Sequence, residues 1–322
     1  MNKSWLVLII FSVLLSACEV RKQPLPRGVF LGLTPTDKPR LLPRFINSGM
    51  IEFNGTFNAE GTEFYYTTDI PRHGMIVHTQ MLPDSSWSAP ALAAFSGAYS
   101  DYDPLFSPDG NRLYFSSGRP APGKSEGSSG IWFVERMHDG WTDPVYVPLG
   151  ALSAFYSSVT SKGKVYFNAG SPGKLYSARK TAEKYQVEPL VQMLDSLQSE
   201  LDPFIAPDES YLIFRGYGDR SYGRADLFIS FRLNGQWTPA ENLGSEINST
   251  AQEVCPYVTT DGRFFIFSSD RLAEPYPLQS GTPIAEFQDK FGTSDNAQQN
   301  IYYMSADFIE DFRKRHISRF GK

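Results

Sequence analysis

An all-β propeller of five four-stranded antiparallel blades is the fold this sequence predicts, and three observations lead to it. The first is composition. Twenty-four Phe, 17 Tyr, 26 Gly and 23 Pro among 322 residues, against two Cys and four His, describe many short aromatic strands separated by tight turns. The second is a recurring phrase. Asp103-Pro104-Leu105-Phe106-Ser107-Pro108-Asp109-Gly110 leads to Leu113-Tyr114-Phe115-Ser116-Ser117. Asp202-Pro203-Phe204-Ile205-Ala206-Pro207-Asp208-Glu209 leads to Leu212-Ile213-Phe214, and Cys255-Pro256-Tyr257-Val258-Thr259-Thr260-Asp261-Gly262 leads to Phe265-Ile266-Phe267-Ser268-Ser269. Weaker copies run through Gly61 to Phe64-Tyr65-Tyr66 and through Gly163 to Val165-Tyr166-Phe167, so the turn positions 61, 110, 163, 209 and 262 are spaced by 49, 53, 46 and 53 residues. The third is that every copy continues alike, into another aromatic strand and then a polar turn. A fourth strand follows, opened by Trp87, Trp141 or Trp237, with Tyr185 standing in once. Four strands in about 50 residues cannot bury both faces of their own sheet, and radial stacking of such sheets does.

The elements follow in chain order. Met1-Asn2-Lys3 is a short positive start and Trp5 to Leu15 is an apolar run, too short for the roughly 20 residues of a membrane-spanning helix. Residues 1–17 therefore read as a signal peptide. Its ending, Leu15-Ser16-Ala17-Cys18, resembles the lipobox of bacterial lipoproteins. That resemblance implies cleavage before Cys18, acylation of its thiol (palmitate among the chains) and anchorage to a bilayer. Glu19 stands where an aspartate would, in enteric bacteria, suggest inner-membrane retention, so the expected place is the outer membrane, facing the periplasm. Residues 18–38 form the lipidated cysteine and tether. With Cys18 acylated, Cys255 is left without a disulfide partner.

The propeller is expected over residues 39–306. Pro39 to Asn47 lies where a fourth strand precedes each other blade, and blade five lacks its own fourth strand. That segment is therefore expected to close the ring. Beyond Met304, Asp307-Phe308-Ile309-Glu310-Asp311-Phe312 begins a tail, 307–322, that reads as a short helix.

The repeat resembles the TolB-like, WD-like propeller repeat, whose signature is a Pro, a short strand, Ser-Pro-Asp-Gly, an aromatic strand and a Ser-Asp-Arg ending. Ser268-Ser269-Asp270-Arg271 and Ser116-Ser117-Gly118-Arg119 carry that ending. The resemblance spans about residues 40–306 and implies the fold, with six blades as the alternative count, since six is commoner in that family. It implies no single function, because such propellers act as scaffolds, adaptors and companions of enzymes.

Thirty basic and 35 acidic residues give a net charge of −5, with no basic stripe to follow a phosphate backbone, so no nucleic acid is expected. His73, His78, His138 and His316 fall at unrelated repeat positions and offer no shared ligand set. Acids recur at one repeat position: Glu52, Asp101, Glu200 and Glu253, with Ala154 in blade three. Asp103 and Asp202 follow two residues later in two blades. Strand alternation puts both positions on one side. Together with Arg119 and Arg271 they form the expected binding set at one mouth of the channel, a negative ring suited to a cation such as calcium, an amine or sugar hydroxyls. The competing expectation is that the acids pair with Arg119, Arg215 or Arg271 and lock the blades. The loops 118–130, 216–225 and 270–299 crown the same mouth. Gly123-Lys124-Ser125-Glu126-Gly127 fits the Gly-x-Ser-x-Gly pattern but lacks a strand-to-helix elbow.

The leading functional expectation is a non-enzymatic, monomeric scaffold without cofactors, holding a protein partner or an envelope glycan such as peptidoglycan. The rival is a glycoside hydrolase or lyase with Asp101, Asp103, Glu200 and Asp202 as acid and base.

Overall fold

The computed structural model describes residues 28–321, apart from 71–72, 125–127, 151, 183, 192, 194–195, 220, 273–279 and 292–295. The signal peptide, Cys18, the tether to residue 27 and Ser125 to Gly127 lie outside the described residues.

The chain forms five antiparallel blades. After β1 (Arg40–Leu41), blade 1 consists of β2 (Ile51–Phe57), β3 (Glu63–Ile70), β4 (His73–Gln80) and β5 (Ala91–Leu92). Blade 2 has β6 (Asp101–Phe106), β7 (Arg112–Ser117) and β8 (Gly130–Met137), with an outer strand split into β9 (Gly140–Trp141) and β10 (Val145–Tyr146). Blade 3 runs through β11 (Ala154–Val159), β12 (Val165–Ala169), β13 (Lys174–Lys180) and β14 (Tyr185–Pro189). Blade 4 repeats the split outer edge: β15 (Leu197–Ile205), β16 (Tyr211–Gly218), β17 (Asp226–Leu233), then β18 (Gln236–Trp237) and β19 (Glu241–Asn242). Blade 5 has β20 (Glu253–Val258), β21 (Phe264–Ser269) and β22 (Asn300–Ser305), and takes β1 as its outermost strand. The innermost strands touch in a closed cycle, β2 to β6 to β11 to β15 to β20 and back to β2.

Closure therefore joins the two ends of the chain in one sheet, and five blades complete the ring. The strand within the expected clasp is short, pairing Arg40 with Tyr303 and Leu41 with Tyr302. Its hold is extended by side-chain bonds. Asn47 Nδ2 donates to the carbonyls of Leu42 (3.2 Å) and Ile301 (3.0 Å), and the Ile301 amide donates to Asn47 Oδ1 at 2.9 Å. Asn248 latches Leu227 in blade 4 in the same way, at 2.8 and 3.0 Å.

The turns after the inner strands need a left-handed residue. Gly61, Gly110, Gly163 and Gly262 supply it at φ between 69° and 74°. The fourth copy has Glu209 at φ 61°, held by hydrogen bonds from Tyr166 (2.6 Å) and Lys164 (3.1 Å) of the preceding blade. The aromatic second strands fill the space between blades: Phe64, Phe115, Phe167, Phe214, Phe265 and Phe267 are all fully buried. At about 2–3 kcal/mol per buried Phe, these rings are the main source of cohesion in a fold whose blades share no disulfide. The tail is α2 (Phe308–Phe320), which seats His316 against Phe231 of blade 4 (4.9 Å between ring centroids) and against Thr238 Oγ1 (2.8 Å). A short α1 (Ile284–Phe291) lies within the long loop of blade 5.

Candidate functional site

The first strand of every blade breaks its pairing at an equivalent place, and that of blade 4 breaks again between Leu197 and Ser199. Register shifts fall between Phe53 and Thr56, Tyr102 and Leu105, Phe155 and Ser157, Leu201 and Phe204, and Val254 and Tyr257. At each shift sits a non-glycine residue in the left-handed region: Asn54 (φ 51°), Asp103 (58°), Tyr156 (43°), Asp202 (50°) and Cys255 (54°). These are β-bulges, and their spacing equals that of the turn positions. A left-handed non-glycine residue costs about 1–3 kcal/mol and persists only where its surroundings hold it.

What holds it is the neighbouring blade. The amide of Asn54 donates to Ser268 Oγ (3.0 Å), that of Asp103 to Thr67 Oγ1 (3.0 Å), that of Tyr156 to Ser116 Oγ (2.9 Å) and that of Asp202 to Asn168 Oδ1 (3.0 Å). Each acceptor comes from the same point on the second strand of the preceding blade. In the fourth blade that point is Arg215, which has no acceptor to offer, and the Cys255 amide turns to Asp202 Oδ2 at 3.4 Å instead. The blade locks are thus backbone amides on hydroxyl and amide side chains. The arginines expected in that role act elsewhere.

The bulges also bring Asp103 and Asp202 together on the axis. Asp103 accepts from Ser116 Oγ (3.1 Å) and Asn54 Nδ2 (3.4 Å). Arg215 Nε lies 3.1 Å from Asp202 Oδ2, a close ion pair whose Nε–H is not aligned for a hydrogen bond. Burial, reinforced by the negative charge of Asp202, lifts Asp103 to about 7, against the pull of Ser116, Arg215 and Asn54. Asp202 is raised too, by burial, with Arg215 opposing. Cys255 and Tyr156 complete the tier, and burial holds both well above their ordinary range, so neither is a nucleophile at neutral pH. No cluster of three or more metal-ligating side chains occurs among the described residues.

The other four acids occupy a separate tier. The bulge interrupts the two-residue alternation between positions 101 and 103, so the expectation that they share a side does not hold. Asp101 and Glu253 are fully buried, Glu52 is 1% exposed and Glu200 5%; none forms an open rim. Asp101 accepts from Arg119 Nη2 (2.9 Å), Ser117 Oγ (2.6 Å) and Ser96 Oγ (2.9 Å). Glu253 accepts from Arg271 Nη2 (2.9 Å), Ser269 Oγ (2.8 Å) and Ser249 Oγ (2.7 Å). Arg119 also donates to the Phe95 carbonyl, Arg271 to that of Ile247, and each guanidinium lies over an aromatic ring, Phe115 at 4.9 Å and Phe267 at 5.2 Å. Each acid staples its own blade to the connector that enters it. Glu200 accepts the Met193 amide at 2.9 Å, and glycines stand at 216 and 218 where Ser117 and Arg119 stand in blade 2. Ala154 is buried in blade 3.

Two surface grooves flank the ring. At the mouth end of blade 5, a groove of about 1190 Å³ is lined by Lys38, Arg40, Asp270, Arg271, Tyr302 and Tyr303 among others. At the opposite end, the turns of blades 2 and 3 enclose about 580 Å³ around Asp109, Arg112 and Glu135. In the larger groove, Asp270 is engaged by Arg224 and by the Gln252 amide (2.9 Å), and Arg271 by Glu253. Lys38 and Arg40 have no carboxylate partner among the described residues.

Two signals in the sequence went unused. Ile46-Asn47-Ser48 and Ile247-Asn248-Ser249 stand at the same distance before Glu52 and Glu253, and this repeat marks both the latch and the staple. The five bulge positions have nothing in common but register, since Asn, Asp, Tyr, Asp and Cys occupy them.

No protein family's sequence profile matches the chain, and no curated protein does. Solved structures align with it at low identity. A putative TolB from Agrobacterium tumefaciens aligns at TM-score 0.49 and 12% identity, covering 80% of this chain and 90% of that one. The GH43 protein BlXynB from Bacillus licheniformis gives 0.48 and 12%, over 83% of this chain, which spans 54% of that protein's length. An endo-arabinase from Bacteroides thetaiotaomicron gives 0.47 and 13%, over 77% and 99%. All three scores lie below 0.5; the fold assignment rests on the blades themselves.

Proposed function

We propose that this chain is a cell-envelope lipoprotein, anchored through Cys18 to the outer membrane and facing the periplasm, whose propeller is a non-enzymatic binding scaffold for a partner protein or an envelope glycan. The observation that carries the reading is the engagement of the recurring acids. Asp101 and Glu253 are enclosed with Arg119 and Arg271, which leaves them no part in acid and base catalysis. Recognition then falls to the mouth-end groove, where Lys38 and Arg40 have no carboxylate partner among the described residues and the half-buried Tyr303 offers a ring for stacking.

The test is retention of the full acylated protein on peptidoglycan sacculi, compared with Arg40→Glu/Tyr303→Ala. Retention by the wild type and its loss in the variant support the scaffold. Cys18→Ala should move the protein out of the detergent-extracted membrane fraction; an unchanged fractionation would remove the anchor from the reading.

One observation favours a second reading, a glycan-active enzyme. Asp103, at about 7, is poised to donate or accept a proton at neutral pH beside Asp202. Release of reducing ends from a glycan by the wild type, abolished in Asp103→Asn, would replace the scaffold with that enzyme.

A further inference from the structure

The corners of blades 2 and 5 show what a filled mouth staple looks like. A guanidinium touches the acid, the hydroxyl two residues before the arginine and the carbonyl six residues before the acid, and it lies on an aromatic ring of the second strand. Among the described residues, blade 1 has every part of this socket except the guanidinium. Glu52 is the acid, Thr68 stands at the place of Ser117 and Ser269, Tyr66 at that of Phe115 and Phe267, and Ile46 at that of Phe95 and Ile247. The register confirms the equivalence: Glu52 pairs with Thr68 as Asp101 pairs with Ser117 and Glu253 with Ser269. At the place of Arg119 and Arg271 stands Ile70.

The polar atoms are left over. Glu52 Oε1 is used by the amide and hydroxyl of Ser48, as Ser249 uses Glu253. Among the described residues, Glu52 Oε2 and Thr68 Oγ1 have no hydrogen-bond partner, although Glu52 is 1% and Thr68 7% exposed. Two orphaned acceptors on paired positions, one of them a buried carboxylate oxygen, mark a missing donor. Burial accordingly raises Glu52, against the pull of the Ser48 and Met50 hydrogen bonds. Ile51 pairs with Asp69 at the end of the register, and the next residue on each side, Met50 and Ile70, is exposed, at 42% and 43%. They are aliphatic flanks of the kind that accompany an anchoring arginine at an interface.

We propose that the blade 1 corner is a receptor for a guanidinium group supplied from outside the chain, the side chain of an arginine on a protein partner, seated on Glu52 and Thr68 over Tyr66 and flanked by Met50 and Ile70. A planar fork matches a carboxylate and a neighbouring hydroxyl as Arg119 and Arg271 do in their own blades. The site is distinct from the groove at blade 5, and the proposal stands whether or not that groove binds a glycan.

Ethylguanidinium is the probe, with ethylammonium as control, titrated into the full-length protein while the amide resonances of Ser48 and Thr68 are followed. The expected result is a saturable shift with ethylguanidinium and one at least about tenfold weaker with ethylammonium. Ile70→Arg fills the socket from within the chain, so it should raise the melting temperature and abolish the titration. Glu52→Gln should weaken binding by at least about tenfold. Because Ile70→Arg is expected to stabilise the fold, the test survives a Glu52 variant that does not fold. A linear, unsaturable response, equal response to the two cations, or an unchanged titration in Ile70→Arg each overturn the proposal. So does binding that appears only in Arg72→Ala, because the chain would then supply its own guanidinium.

Discussion

Asp101 and Asp103 lie two residues apart on one strand, yet they belong to different regions of the molecule. Asp101 is in the mouth tier, sealed by an arginine and two serines. Asp103 is in the axial tier, turned by a left-handed bulge toward Asp202 and raised to about 7. A carboxylate given a guanidinium and hydroxyl donors becomes a structural tie, whereas one given a second carboxylate and little solvent becomes a proton-binding group. The left-handed conformation of Asp103 itself decides which environment each acid receives.

The largest expected effect comes from breaking a tie in the mouth tier. Arg119→Met leaves Asp101 buried and unpaired, which should cost about 3–5 kcal/mol in urea unfolding. Arg271→Met should do the same to Glu253. A cost below about 1 kcal/mol would mean that water reaches these acids and that the two tiers are less different than they look.

The axial tier should answer to pH. Asp103 has a higher pKa folded than unfolded, so the folded state holds the proton more tightly. Its stabilising contribution is full below about 4 and is lost as pH rises through about 7. Glu52, Asp69 and Asp202 are also raised and act in the same direction, while Asp109, Asp208, Glu209 and Asp261 are lowered and act in the opposite direction at acid pH. The wild type minus Asp103→Asn difference isolates the one group. Asp103→Asn should be the more stable protein at pH 8, with the advantage fading toward pH 4. A difference curve flat across that range would place Asp103 in an ordinary ionised state.

A smaller effect sharpens the comparison at the ring closure. Asn47→Ala removes three bonds to the backbone and Asn248→Ala removes the corresponding latch in blade 4. Each should cost about 1–3 kcal/mol. Only the first should broaden the unfolding transition, since only blade 5 joins the two ends of the chain. The smallest effect expected is from deleting residues 19–27, read as a tether, which should leave the melting temperature unchanged.

The sequence by itself determined the repeat, its blade count and its closure. Proline, the Asp-Gly turn and alternating aromatics are local signals, and each acts within a few residues of where it is written. It also presented the recurring acids and the Ser-x-Arg endings, so the alternative of Arg119 with Asp101 and Arg271 with Glu253 was legible as a pairing. Only the tertiary structure decided which acids share an environment. A bulge shifts every side chain beyond it to the other face, and Asn54, Asp103, Tyr156, Asp202 and Cys255 carry no common residue type to announce one. The bulges are stabilised from the preceding blade, by Thr67, Ser116, Asn168 and Ser268, so their cause lies between 34 and 214 residues away in the chain and exists only when neighbouring blades have packed. The unfilled corner of blade 1 was hidden for the same reason. Ile70 is an unremarkable strand residue until its place is matched, in space, to the arginines of blades 2 and 5.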